Sequence, residues 1–210
     1  RGPALSEHVD IHPRLVEDAV WFAIRGHPEE SEFDRERTSV YRLDAGLREQ
    51  AFTSLNGKWF RKLRIESSVL QVLSEQQGWD AVVRRIRLVS APTRKLEGAE
   101  LFVAGPDDRT VAICIRPETL VEPETALLFL RRELMHIADM LDPAFGYVPS
   151  LPPHPAGPAH DRLLLDRYRV LWNCTVDGRL AKQGTLGDQG RRQRLSEFAG
   201  AFPCLENMTM

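Results

Sequence analysis

Leu130-Arg131-Arg132-Glu133-Leu134-Met135-His136-Ile137-Ala138-Asp139-Met140-Leu141-Asp142 is the most informative run in this chain of 210 residues. Advanced at about 100° per residue, Leu130, Leu134, Ile137, Ala138 and Leu141 share one arc, while Arg132, His136 and Asp139 share the opposite one. The run therefore predicts a helix with one wall in the core. A second wall, carrying Glu133, His136 and Asp139 and bordered by Phe129 and Met140, is what a helix lining a cleft presents. The helix is expected to span Pro123 to Leu141, because that segment has no Gly, no Pro after its first position, and acids with Thr125 at its start.

Upstream, period-two patterning replaces helical spacing. Val82–Val89, Ala99–Ala104 and Thr110–Ile115 read as three strands, the last two joined through Gly105-Pro106-Asp107-Asp108-Arg109, a loop of hairpin composition. The first 80 residues are mainly helical: Val16–Arg25 stopping at Gly26, Ser31–Ala51 with a break at Asn56-Gly57, and Ser67–Gln76. Downstream, a loop with six prolines runs from Asp142 to Pro158. Helical spacing returns from Asp161 to Val176, with Gly178 expected to end or kink it, and again from Arg191 to Phe198. The fold class is α+β in a single domain, 1–210: a helical region over 1–80, the sheet with the motif helix and the downstream helix over 82–180, and a helical tail over 181–210.

Composition limits the function classes. Lys and Arg total 28 against 30 Asp and Glu, a net charge of -2, which argues against a nucleic-acid or anionic-membrane surface despite Arg84-Arg85-Ile86-Arg87 and Arg191-Arg192-Gln193-Arg194. Cys114, Cys174 and Cys204 form no C-x-x-C pair, so a disulfide framework or cysteine zinc ribbon is not expected and a reducing, cytoplasmic setting is. No apolar run is long enough for a membrane helix, and Arg1-Gly2-Pro3 opens no signal-type apolar core. Gly-rich phosphate loops and Gly-x-Ser-x-Gly are absent, which leaves nucleotide and serine-hydrolase chemistry without support.

Glu133-x-x-His136, placed after a three-strand sheet, resembles the active-site helix of the zincin metallopeptidases, whose pattern is H-E-x-x-H. In that pattern two histidines at i and i+4 hold zinc and the intervening Glu activates the metal-bound water. The resemblance implies Glu133 as general base and His136 as a metal ligand, with Asp142 where the extended pattern places its third ligand. Two departures matter. The first His is Arg132, whose guanidinium has no lone pair to offer, and the Gly that turns the extended motif is Asp139. The resemblance covers about 11 residues, or about 50 with the sheet.

A second polar stripe, Asp166, Asn173 and Asp177 on the downstream helix, lies within about 40° of arc. It offers Asp177, or else Asp166, as a partner for His136; the alternative is a solvated face with Asp166 paired to Arg162 or Arg169. The metal set to test is therefore His136, Asp139, Asp142 and Asp177, holding zinc weakly or another divalent ion. His154 and His160 in the proline-rich loop are further candidates or plain solvated side chains. Two functions follow: a zincin-like metal-dependent hydrolase acting on peptides, or an inactive zincin-like scaffold that binds a protein or peptide in its cleft. In the second, Arg132 clamps a carboxylate or pairs with a cleft acid such as Asp139. A di-iron site would need a second E-x-x-H, which the chain lacks.

Overall fold

The computed structural model describes residues 8–105, 108–150, 153 and 155–203. The chain divides into two compact units, Arg1–Glu133 and Leu134–Met210, and the division falls inside the motif helix. Secondary structure is mixed, with eight α-helices and one four-stranded sheet among the described residues.

The first unit opens with β1 (Val9–Ile11) and α1 (Pro13–Ile24). Pro13 sits at the first helical position, where a missing N–H costs nothing, and the His12 ring accepts a hydrogen bond from the Arg14 amide at 3.2 Å. Three helices follow, α2 (Glu30–Tyr41), α3 (Ala45–Lys62) and α4 (Ser67–Ser74). Sequence reading expects one helix over 31–51; the chain instead breaks at residues 42–44 and restarts with Asp44 in the cap position. Asn56-Gly57, read as the breaker, stays inside α3. Leu55, Trp59 and Phe60 on that turn are all buried, and their burial outweighs a glycine penalty of about 1 kcal/mol.

β2 (Arg85–Ser90), β3 (Gly98–Gly105) and β4 (Asp108–Ile115) complete the sheet, in the order β1-β2-β4-β3. β1 and β4 run parallel to β2, and β3 and β4 form the expected antiparallel hairpin; Pro106 and Asp107 at its turn lie outside the described residues. The sheet is therefore mixed. Alternation sets its inner face: Ile86 and Leu88 from β2, and Val111, Ile113 and Ile115 from β4, are fully buried. α1 packs on α3, on β2 and on the short α5 (Pro117–Val121). Cys114, on the other face of β4, is half-buried, and burial together with the Glu100 charge pushes its thiol up, away from nucleophilic character.

α6 (Pro123–Leu141) has the bounds read from sequence. Ala126, Leu130, Leu134 and Ile137 are fully buried, whereas Ala138 and Leu141 are only half-buried. The second unit continues with α7 (Pro158–Lys182) and α8 (Asp188–Ala201), which pack on each other. Gly157, at φ 88°, turns the chain into α7 with Pro158 as its first residue. Gly178 does not end α7, which continues one full turn beyond it. No helix among the described residues is long and apolar enough to cross a membrane.

Candidate functional site

Arg131, Arg132 and Glu133 belong to the first unit. β3 is the edge strand of the sheet, so its outward amides have no strand partner. Glu133 fills that need at one point, accepting a hydrogen bond from the Ala99 amide at 3.0 Å. The approach is close: a Cβ built on Gly98 would lie 3.6 Å from Glu133 Oε2. Burial pushes the Glu133 carboxyl up from its ordinary value, opposed by the Ala99 hydrogen bond and by the Arg132 charge. Arg132 is half-buried and thus acts on Glu133, one of the carboxylates expected for it. Arg131 is held by Glu75 in a two-pronged ion pair, 3.0 and 2.6 Å.

His136, Asp139, Asp142 and Asp177 belong to the second unit. Asp139 is only 6% exposed and both its oxygens are engaged. Arg179 donates to Oδ1 at 2.7 Å and to Oδ2 at 2.5 Å, and the Trp172 indole N–H donates to Oδ2 at 2.6 Å. Burial works to raise the Asp139 carboxyl, but the hydrogen bonds from Arg179 and Trp172 outweigh it and hold the group below its ordinary value. Asp139 thus pairs with an arginine, and that arginine is Arg179.

Asp177 is 2% exposed and accepts from Arg194 Nε at 2.7 Å; Arg194 also bridges to Glu197. Asp142 is exposed and accepts from the Ala144 amide at 2.9 Å, closing the turn that follows α6. Asp166 stays on the surface with Arg169 at 3.8 Å, the solvated pairing that the sequence offered as its alternative. From the polar stripe of α7 it is Asn173 that reaches His136, through a side-chain hydrogen bond. Burial pushes the imidazole down, with Asn173 and the Asp139 charge opposing, so the ring is held toward its neutral form. His154 lies outside the described residues, and His160 sits in the first turn of α7.

These side chains offer a poor cradle for a metal ion. Arg132 has no lone pair, Asp139 accepts at both oxygens from Arg179 and from Trp172, Asp177 is paired with Arg194, and Asp142 closes a turn. Among the described residues no group of three or more His, Cys, Asp or Glu side chains is placed to hold a metal.

The sequence reading missed what surrounds Trp172. The His136 ring meets it edge-on at 4.6 Å, Phe145 stacks on it at 5.4 Å, and Tyr147 and Tyr168 lie at 5.8 and 5.9 Å. One indole thus collects four rings. Phe145, Tyr147 and Tyr168 remain exposed, Tyr168 at 46%, and Leu164, Tyr168 and Leu171 continue the apolar surface along one face of α7 at i, i+4 and i+7 spacing. A usable signal was present: Phe-x-Tyr at 145–147 in a polar loop and Tyr168-x-x-x-Trp172 on the next helix.

No family model, curated protein or solved structure matches the chain.

Proposed function

We propose that this chain is a non-catalytic binding protein, the inactive form of a zincin-like scaffold, that takes an apolar segment of a protein or peptide partner on the Trp172 face. The carrying observation is the four-ring cluster around Trp172 with its outer rings exposed, continued by Leu164 and Leu171. Exposed aromatic and leucine side chains on a prearranged surface supply large contact area at low ordering cost. The commitment of Asp139 to Arg179 and Trp172 adds support, since it holds the indole in place without leaving a carboxylate for catalysis. A peptide library displayed on phage and selected against the full chain tests this. Recovered peptides should carry aromatic or leucine anchors and lose binding at least about tenfold to Tyr168→Ala and Leu171→Ala variants of unchanged circular dichroism. Selection of no peptide, or binding indifferent to both changes, rejects the proposal.

One observation favours the hydrolase reading: burial keeps His136 neutral, the form that offers a lone pair, and gives Glu133 a raised proton affinity. On that reading Arg132→His restores the H-E-x-x-H pattern and raises zinc affinity at least about tenfold, as followed by calorimetry. Equal affinities for both proteins exclude it.

A further inference from the structure

The first unit contains a cavity of about 220 Å³ between α1, α2 and α3, unrelated to the motif helix. Its walls are Trp21, Phe33, Tyr41 and Phe52, and Asn56 projects from α3 into the same space. Asn56 is only 8% exposed, and its side-chain amide makes no hydrogen bond among the described residues. The amide stays open to solvent through this space, and the aromatic walls supply it no donor or acceptor of their own. The Arg37 guanidinium is the second polar group. It lies over the rings of Trp21 and Tyr41 at 5.2 and 5.8 Å, reaches the Tyr41 hydroxyl at 3.3 Å, and has no carboxylate within ion-pair distance among the described residues.

We propose that this cavity binds a small planar ring bearing a lactam or carboxamide edge. Three features select that class. The four aromatic side chains that line this open space suit a flat ring, and about 220 Å³ has room for a single substituted one. The Asn56 amide presents one acceptor and one donor side by side, and its complement is an N–H next to a C=O, the edge of a lactam. Arg37 offers N–H donors to a second ring carbonyl. Glu17 and Asp18 also border the cavity, so a neutral ligand enters more readily than an anionic one. The relevant surface lies wholly within the first unit, and the proposal is independent of the peptide-binding reading.

Uracil and 1,3-dimethyluracil separate the lactam edge from the ring, since they share the ring and both carbonyls but only uracil has N–H groups. Titration of the full chain with each, up to about 10 mM, is followed by tryptophan fluorescence and by saturation transfer to the ligand's ring protons. Uracil is expected to quench the emission, with the quench reduced in Trp21→Phe, and to bind at least tenfold more tightly than dimethyluracil. Asn56→Ala is expected to remove that difference. Equal binding of the two compounds, or no saturation transfer with uracil, overturns the proposal without requiring any variant to fold. Undiminished uracil binding by a folded Asn56→Ala protein overturns it as well.

Discussion

Trp59 and Trp172 are built on the same plan in different units. Each donates its indole N–H to a carboxylate, Trp59 to Glu36 at 3.0 Å and Trp172 to Asp139 at 2.6 Å, and each carboxylate is held by a cation, Lys58 in one case and Arg179 in the other. Trp59 is fully buried, edge-on to Phe33 at 5.4 Å and capped by Lys62 at 4.1 Å. Trp172 is half-buried among rings whose outer faces are open. Burial thus separates the two indole–carboxylate pairs: the enclosed one ties α2 to α3, and the open one steadies a cluster of rings whose outer members are exposed.

The largest break in this comparison is expected from Trp59→Ala. Deleting a fully enclosed indole leaves a void that close-packed neighbours cannot fill, and stability should fall by about 3–5 kcal/mol in urea unfolding followed by circular dichroism. Asp139→Ala should cost about 1–3 kcal/mol by the same measurement, because the Trp172 N–H and the Arg179 guanidinium lose their acceptor; water around the partly exposed Arg179 keeps the loss from being larger. Trp172→Ala should cost only about 1–2 kcal/mol, in keeping with its half-burial, yet abolish the binding of library-selected peptides. A stability loss as large as that of Trp59→Ala would mean that Trp172 is simply core.

The smallest effects are in pH dependence, and they carry opposite signs. Burial lowers the His136 pKa, so between its folded value and the ordinary imidazole value the unfolded chain binds more protons. Stability therefore rises with pH through that window and is lost as pH falls below the ordinary value, about 6.5. Burial raises the Glu133 pKa, so from the ordinary carboxyl value, about 4.3, up to its folded value the folded chain binds more protons and stability falls as pH rises. Unfolding free energies measured between pH 4 and 8, on the order of physiological pH and below, should lose the first slope in His136→Gln and the second in Glu133→Gln. Unchanged slopes in both variants would refute the assignment.

Much of the fold was legible because it follows local rules. Pro123 and the unbroken arc through Leu130, Leu134 and Ile137 set α6, and alternation in Thr110–Ile115 set β4 and its inner face. β1, three residues long, was too short to announce itself and exists through its pairing with β2. Asn56-Gly57 misled, because the packing of Leu55 and Trp59 outweighed turn propensity. The candidate residues Glu133, His136 and Asp139 were legible as a polar wall, but their partners were not. Arg179 stands 40 residues from Asp139, Trp172 stands 33 away, and Ala99 stands 34 from Glu133. Helical spacing describes one element, whereas the chemistry of a carboxylate is set by whatever a distant element brings to it.

Glu133's hold on the Ala99 amide also bears on how copies of this protein behave together. β3 ends the sheet and carries Phe102 and Val103, both more than half exposed, so it has the apolar side chains and open backbone that invite strand-to-strand addition. A carboxylate laid against the strand occupies one of the amides a second chain would need. The residue that most resembles a catalytic base thereby takes one backbone donor of an edge strand out of reach of a second strand.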